Sequence, residues 1–76
     1  MNISGVLVRA YPDQLKQVSL ALTGMAGVEV HANDAKGRLV VTVEQEDASL
    51  MADALIGMQS LPGVLSASMI YHRFAE

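Results

Sequence analysis

The strongest structural signal in the chain is Leu61-Pro62-Gly63-Val64-Leu65-Ser66-Ala67-Ser68-Met69-Ile70-Tyr71-His72. Its Pro-Gly pair predicts the end of a helix and a turn, and the uncharged run that follows predicts a strand. Met25-Ala26-Gly27-Val28 repeats this pattern 36 positions earlier, and Pro12 and Ala48 open the two preceding helices at the same separation. We therefore expect the chain to contain two βαβ halves.

The rest of the chain supplies the other elements of these halves. Strands are predicted over residues 3–10, 28–32, 38–44 and 64–72, and helices over residues 12–23 and after an N-cap at Asp47. The polar segment 33–37 predicts a hairpin between the second and third strands. Right-handed crossovers then place both helices on one face of a four-stranded antiparallel sheet. This βαββαβ order is the ferredoxin-like α+β fold, with residues 1–76 as a single domain.

The composition excludes several classes of protein. A hydrophobic content of 51% and a charged content of 17% predict a folded domain rather than a disordered segment. The net charge of −3 and the scattered positions of the five Lys and Arg residues argue against nucleic acid as a partner. The absence of cysteine excludes disulfides and thiolate metal sites and fits the cytoplasm, where we expect the protein. Arg9 interrupts the first apolar stretch, so no membrane span is expected.

Catalytic chemistry has no support in the sequence. His31 and His72 do not stand at the spacing of a metal site or a nucleophile triad. The acidic residues Glu44, Glu46 and Asp47 have no partner ligands near them in the sequence. The glycines stand at breaks between elements rather than in a phosphate-binding loop. We expect no catalytic residue, no metal and no cofactor, and an enzyme is not predicted.

The face of the sheet away from the helices is the candidate site. On the first strand, the row that contains Arg9 is predicted to face outward, because burying an unpaired charge is costly. Matching the two halves by their 36-residue offset equates Leu7 with Val43 and would instead place the Leu7 row inward. On the last strand, the row predicted to pack on the helices is Leu65, Ala67, Met69 and Tyr71. The row predicted to face outward is Val64, Ser66, Ser68 and Ile70.

This outward face is predicted to hold an amphipathic peptide helix. The middle of this face is shallow and apolar, and the carboxylates of Glu29 and Glu44 can attract a basic end of the helix. The residues predicted to bind the peptide are Gly5, Leu7, Arg9, Glu29, Val40, Thr42, Glu44, Ser66, Ser68 and Ile70. A second copy of the chain could cover the same face instead, since symmetric dimers are common.

Nearly the whole chain resembles the NapD family. The resemblance rests on Ser4-Gly5-Val6-Leu7-Val8, Gly27-Val28-Glu29-Val30, Gly37-Arg38-Leu39-Val40-Val41-Thr42-Val43-Glu44 and Gly63-Val64-Leu65-Ser66-Ala67-Ser68-Met69-Ile70-Tyr71-His72. None of these segments is a catalytic motif, so the specificity of the resemblance lies in their order and spacing. One departure is Ala26, which stands where a proline often precedes the glycine.

The resemblance implies a function for the outward face. Members of this family are small cytoplasmic chaperones of periplasmic nitrate reductase maturation, which implies binding of the twin-arginine signal peptide of the catalytic subunit NapA as a helix. Such binding would restrain export until the molybdenum cofactor is inserted, and the chaperone itself would bind no cofactor. Glu44 first, and Glu29 second, are expected to meet the two arginines. The alternative is a small ligand-sensing or dimerising regulatory domain of the same fold, in which the outward face or the strand edges pair with a second copy. The chain could also self-associate weakly.

Overall fold

The computed structural model describes residues 1–74 and contains four strands and two α-helices. They are β1 (Asn2–Ala10), α1 (Leu15–Thr23), β2 (Val28–Asn33), β3 (Arg38–Gln45), α2 (Ala48–Gln59) and β4 (Val64–Phe74). The strands form an antiparallel sheet in the order β2-β3-β1-β4. The predicted ferredoxin-like fold is confirmed.

The first helix begins three residues later than predicted. Pro12–Gln14 forms a short 3-10 turn, and α-helical geometry starts at Leu15. The N–H of Tyr11 donates to the carbonyl oxygen of Gly63 at 3.1 Å, which ties the start of this turn to the residue before β4. Because Pro12 has no N–H to donate, it fits the first position of the turn without losing a hydrogen bond.

The repeat between the two halves appears at the turns that lead into β2 and β4. Gly27 and Gly63 precede these strands and have φ values of +77° and +91°, a backbone conformation that side chains with a Cβ rarely adopt. The second helix begins as predicted, because the carboxylate of Asp47 accepts a hydrogen bond from the N–H of Leu50 at 2.8 Å. These local signals therefore set the ends of the elements in both halves.

Both helices pack on the same face of the sheet. The centre of the core comes from β1 and β3, with Val6, Val8, Leu39, Val41 and Val43 fully buried. The helices cover this centre with Val18 and Leu22 of α1 and with Met51, Ala54 and Met58 of α2. Within residues 1–74, no helix covers the other face. We call that face the open face. It comprises the row Ile3, Gly5, Leu7 and Arg9 of β1, the residues of β3 and β4 that pair with this row, and the residues of β2 that pair with those of β3.

The prediction that the Arg9 row of β1 faces outward is confirmed. The alternate residues Asn2, Ser4, Val6, Val8 and Ala10 are buried against the helix layer, whereas Arg9 is exposed. The 36-residue offset, which would have turned Leu7 inward, is wrong for this strand. Leu7 pairs with Val40 on the open face, because an inward Leu7 row would bury the guanidinium of Arg9 without a partner.

The prediction for β4 is correct only in the middle of the strand. Ser66 and Ser68 pair with Arg9 and Leu7 on the open face, but Val64 pairs with Ala10 and packs against the core. Two residues have no partner on β1 and form bulges: Leu65 and Ile70. Each bulge shifts the alternation by one residue, so Tyr71 lies on the open face rather than under the helices, and Leu65 is exposed.

Candidate functional site

Strand pairing arranges the open face into four levels that run across the sheet. The first level comprises Glu44, Ile3 and Arg73; the second Glu29, Thr42, Gly5 and Tyr71; the third Ala32, Val40, Leu7 and Ser68; and the fourth Arg38, Arg9 and Ser66. Paired residues on one face of antiparallel strands have their Cβ atoms about 5 Å apart. The levels bring together nine of the ten residues predicted to bind a peptide.

The third level is the apolar part of the open face. Leu7 and Val40 lie directly opposite each other, and 42% of Val40 is exposed. The depression that they help to form has a volume of about 330 Å³ and is lined by Leu7, Ala32, Asn33, Asp34, Arg38 and Val40. An apolar side chain that became buried here would gain about 1.5–3 kcal/mol from leaving water.

The carboxylates of Glu29 and Glu44 form the acidic corner of the open face. Glu29 pairs with Thr42, and Glu44 lies two residues further along β3, so their Cα atoms are diagonal neighbours about 7–8 Å apart. Both side chains are exposed, and neither has an ion-pair or hydrogen-bond partner among residues 1–74. Between them, Oγ1 of Thr42 lies 2.6 Å from Nε2 of His31, the bulged residue of β2. The corner therefore presents two free negative charges to a partner.

The fourth level is basic. Arg9 and Arg38 lie directly opposite each other on β1 and β3. The guanidinium of Arg38 donates from Nε to a carboxylate oxygen of Asp34 at 2.7 Å, and this hydrogen bond is the main reason that the pKa of Asp34 lies below its usual value. Asp34 also accepts from the backbone N–H of Lys36 and of Arg38, which closes the hairpin between β2 and β3.

Tyr71 is a site residue that the sequence analysis missed. Its ring lies on Gly5, where a Cβ atom would collide with the ring carbons, and 47% of Tyr71 is exposed. The signal in the sequence was Gly5 itself, because a glycine inside a strand often marks a close approach by another group. The predicted binding residue Ile70 is 59% exposed, but as the bulged residue beside Tyr71 it belongs to none of the four levels.

A second apolar depression lies on the helix side of the sheet, between α2 and β4. It has a volume of about 200 Å³ and is lined by Ala48, Met51, Ala52, Leu55, Met69 and His72. It explains why Met69 is exposed although its row faces the helices. No carboxylate lines this depression, so it offers nothing to pair with a basic peptide.

The part of the chain that the structure describes contains neither a metal-binding cluster nor a membrane-spanning helix. In residues 1–74, no group of three or more His, Asp or Glu side chains is placed to hold a metal ion. Over the same residues, neither helix has the length and hydrophobicity to cross a bilayer.

Comparisons with known proteins agree on one family. A family model described as "NapD protein" matches residues 1–76. The curated protein "Chaperone NapD" of Escherichia coli K12 is 31% identical, over 99% of this chain and 87% of that protein. The Haemophilus influenzae protein of the same name is 26% identical, over 99% of this chain and 82% of that protein.

The solved structures give the same result. The solution structure of the E. coli Tat proofreading chaperone protein NapD superimposes with a TM-score of 0.87 at 31% identity, over 97% of this chain and 79% of that one. A crystal structure from Thermus thermophilus has a TM-score of 0.84 at 24% identity, over 100% and 96% of the two chains, and shows the shared fold alone.

Proposed function

Because the chain belongs to the NapD family, we propose that it is a cytoplasmic chaperone for the twin-arginine signal peptide of the nitrate reductase subunit NapA. The peptide binds as an amphipathic helix on the open face. While it is bound, the signal is hidden, and export waits until the molybdenum cofactor is loaded. The chaperone contributes binding only, in keeping with the names of its relatives.

The observation that supports this proposal most strongly is the arrangement of charge and apolar surface on the open face. The free carboxylates of Glu29 and Glu44 lie on the first two levels, and Leu7 and Val40 lie on the third. A signal peptide carries its basic residues beside an apolar stretch. The open face therefore places negative charge beside apolar surface, as such a peptide requires.

The ion pairs and the apolar contacts contribute differently to the affinity for the peptide. Exposed ion pairs are worth about 0.2–1 kcal/mol each, so the carboxylates alone would hold a peptide only weakly. Burial of the apolar third level, at about 25 cal/mol per Å², supplies most of the affinity. The carboxylates then provide specificity for arginine and faster association. We expect peptides without the arginine pair to bind more weakly but not to lose all affinity.

Calorimetric titration with two synthetic peptides tests this function. One peptide carries the twin-arginine signal of NapA, and the other has Gln-Gln in place of Arg-Arg. We expect the first to bind with about 2–30-fold higher affinity, since two exposed ion pairs are lost in the second. The difference should shrink in high salt, because screening weakens exposed charges. Equal affinities would reject the role of the carboxylates, and the absence of binding by both peptides would reject the proposed function.

The second candidate function is that of a regulatory domain that dimerises through the edge strand β4. β4 lies at the edge of the sheet, and Leu65, Ile70 and Phe74 are exposed along it. Unpaired edge strands can pair with a second chain, although bulges such as those at Leu65 and Ile70 oppose this. Sedimentation of the free protein tests the alternative: a stable dimer whose dissociation is needed for peptide binding would support it, and a monomer would exclude it.

A further inference from the structure

Arg9 and Arg38 lie directly opposite each other on β1 and β3, so the fold brings two like charges together on the open face. Two like charges directly opposite each other on neighbouring strands destabilise a sheet. Asp34 compensates the charge of Arg38 through an ion pair of 2.7 Å, whereas Arg9 has no ion-pair partner within the described residues. A local feature that costs stability without a compensating contact often marks a functional position.

This pair lies at the opposite end of the open face from the acidic corner. Ile3 and Arg9 belong to the first and fourth levels, and the six residue steps between them span about 20 Å of strand. A helix of about 13 residues has the same length. One bound helix can therefore reach from the carboxylates of Glu29 and Glu44 to the guanidinium of Arg9.

The two ends of a helix carry opposite partial charges. Free N–H groups make the N-terminal end positive, and free carbonyl oxygens make the C-terminal end negative. We infer that Arg9 binds the C-terminal end of the signal-peptide helix and so fixes its direction on the sheet, with its N-terminal end over Glu44. This inference rests on the proposed function and adds the direction of the bound peptide.

The order of segments in the peptide agrees with this direction. In a signal peptide the basic residues precede the apolar stretch. With the N-terminal end over Glu44, the arginines meet the acidic corner, the apolar stretch lies over Leu7 and Val40, and the last carbonyl oxygens reach Arg9. A helix in the opposite direction would place its arginines beside Arg9, whose charge has no ion-pair partner among the described residues and would repel them.

Arg73 is a further positive charge on the open face, and it restricts the position of the peptide across the strands. It belongs to the first level, but it lies on β4, two strands and about 10 Å from Glu44 on β3. Arginines of the peptide are repelled from the β4 side and attracted to the β2–β3 side. The helix therefore begins over β3 and passes the apolar third level on its way to Arg9.

Paramagnetic broadening of amide signals tests the direction. The probe is the synthetic twin-arginine peptide with a nitroxide at its N-terminal end in one sample and at its C-terminal end in another. We expect the N-terminal label to broaden the amides of Ile3 and Glu44, and the C-terminal label those of Arg9 and Arg38. The reverse pattern would overturn the inferred direction and leave the proposed function standing. Broadening confined to the helices, or none with either label, would overturn both.

A charge swap tests the role of Arg9 itself. Two versions of the peptide differ only in their last residue, Glu or Lys. The native chain should bind the Glu version about 1.4–5-fold more tightly, the size of one exposed ion pair between this glutamate and Arg9. Arg9→Glu should reverse this preference, whereas the control Lys16→Glu, on the exposed surface of α1, should not. Equal affinities for both versions, or a preference that persists in Arg9→Glu, would overturn the role of Arg9.

Discussion

The ring of Tyr71 lies on Gly5, across the pairing of β1 and β4 and on the face of the sheet away from the helices. The glycine leaves room for the ring, and the ring shields the glycine from water, so Gly5 is buried on a face that is otherwise accessible. Aromatic residues that cover a strand glycine in this way stabilise the sheet. The contact also places an aromatic surface beside Thr42 and Glu29 on the second level.

Gly5→Ala should destabilise the protein, because the new methyl group would meet the Tyr71 ring. We expect a loss of about 1–3 kcal/mol in the free energy of unfolding, typical of overpacking. In a Tyr71→Ala background the same change should be neutral or stabilising, since alanine loses less backbone entropy on folding than glycine. Urea unfolding of the four proteins measures both values, and equal effects in the two backgrounds would show that the ring does not contact Gly5 in solution.

Sequence reasoning was sufficient for the fold because each element carries its own local signal. The Pro-Gly pair before β4, the N-cap Asp47 and the alternation of Leu39, Val41 and Val43 each specify a boundary or a buried row. The order of these elements then leaves few topologies. The outward direction of the Arg9 row also followed from the cost of a buried charge.

The ends of β4 could not be predicted in the same way. Side chains alternate between the two faces of a sheet only while every residue pairs with one on the neighbouring strand. Leu65 and Ile70 have no partner on β1. Nothing in an uncharged run of similar residues indicates where such a bulge lies. The middle of the strand was therefore predicted correctly, whereas Val64 and Tyr71 were each assigned to the wrong face.

Val40→Ser should weaken peptide binding with little effect on stability. Val40 is exposed on the apolar third level, so we expect about a five-fold loss of affinity from the smaller buried apolar surface, and less than about 1 kcal/mol lost from folding. Its neighbour Val41 provides the control because it is fully buried on the other face. Val41→Ser should cost about 2–4 kcal/mol of folding free energy. Calorimetry measures the change in peptide affinity, and urea unfolding measures the change in stability. Unchanged affinity in Val40→Ser would show that the third level does not contact the peptide.

Glu44→Gln should lower the affinity for the twin-arginine peptide by about 1.4–5-fold, since one exposed ion pair is worth about 0.2–1 kcal/mol. Glu29→Gln should have a smaller effect of the same sign. Glu46→Gln is the matched control, because Glu46 is exposed between β3 and α2 and belongs to none of the four levels. Titrations at low and high salt should show the difference at low salt only. A loss in Glu46→Gln as large as that in Glu44→Gln would indicate a general effect of net charge.

Asp34→Asn should reduce stability at neutral pH and make little difference in acid. The hydrogen bond from Arg38 lowers the pKa of Asp34 in the folded protein, so its contribution is present above the ordinary value of about 3.9 and is lost as the pH falls through the lower folded value. Asparagine can still accept from the backbone N–H groups of Lys36 and Arg38, so the change isolates the ion pair. Thermal unfolding between pH 7 and pH 2 measures the difference. A difference in stability that stayed the same from pH 7 to pH 2 would contradict the contribution of this ion pair.

A map of amide chemical-shift changes as the twin-arginine peptide is added tests directly whether the peptide binds on the open face. If the peptide binds on the open face, the largest changes should occur at Leu7, Val40, Thr42, Ser66 and Ser68, with Tyr71 among them because its ring borders the same surface. The amides of α1 and α2 should change little. Changes confined to α1, α2 and the depression between α2 and β4 would show that the peptide does not bind on the open face.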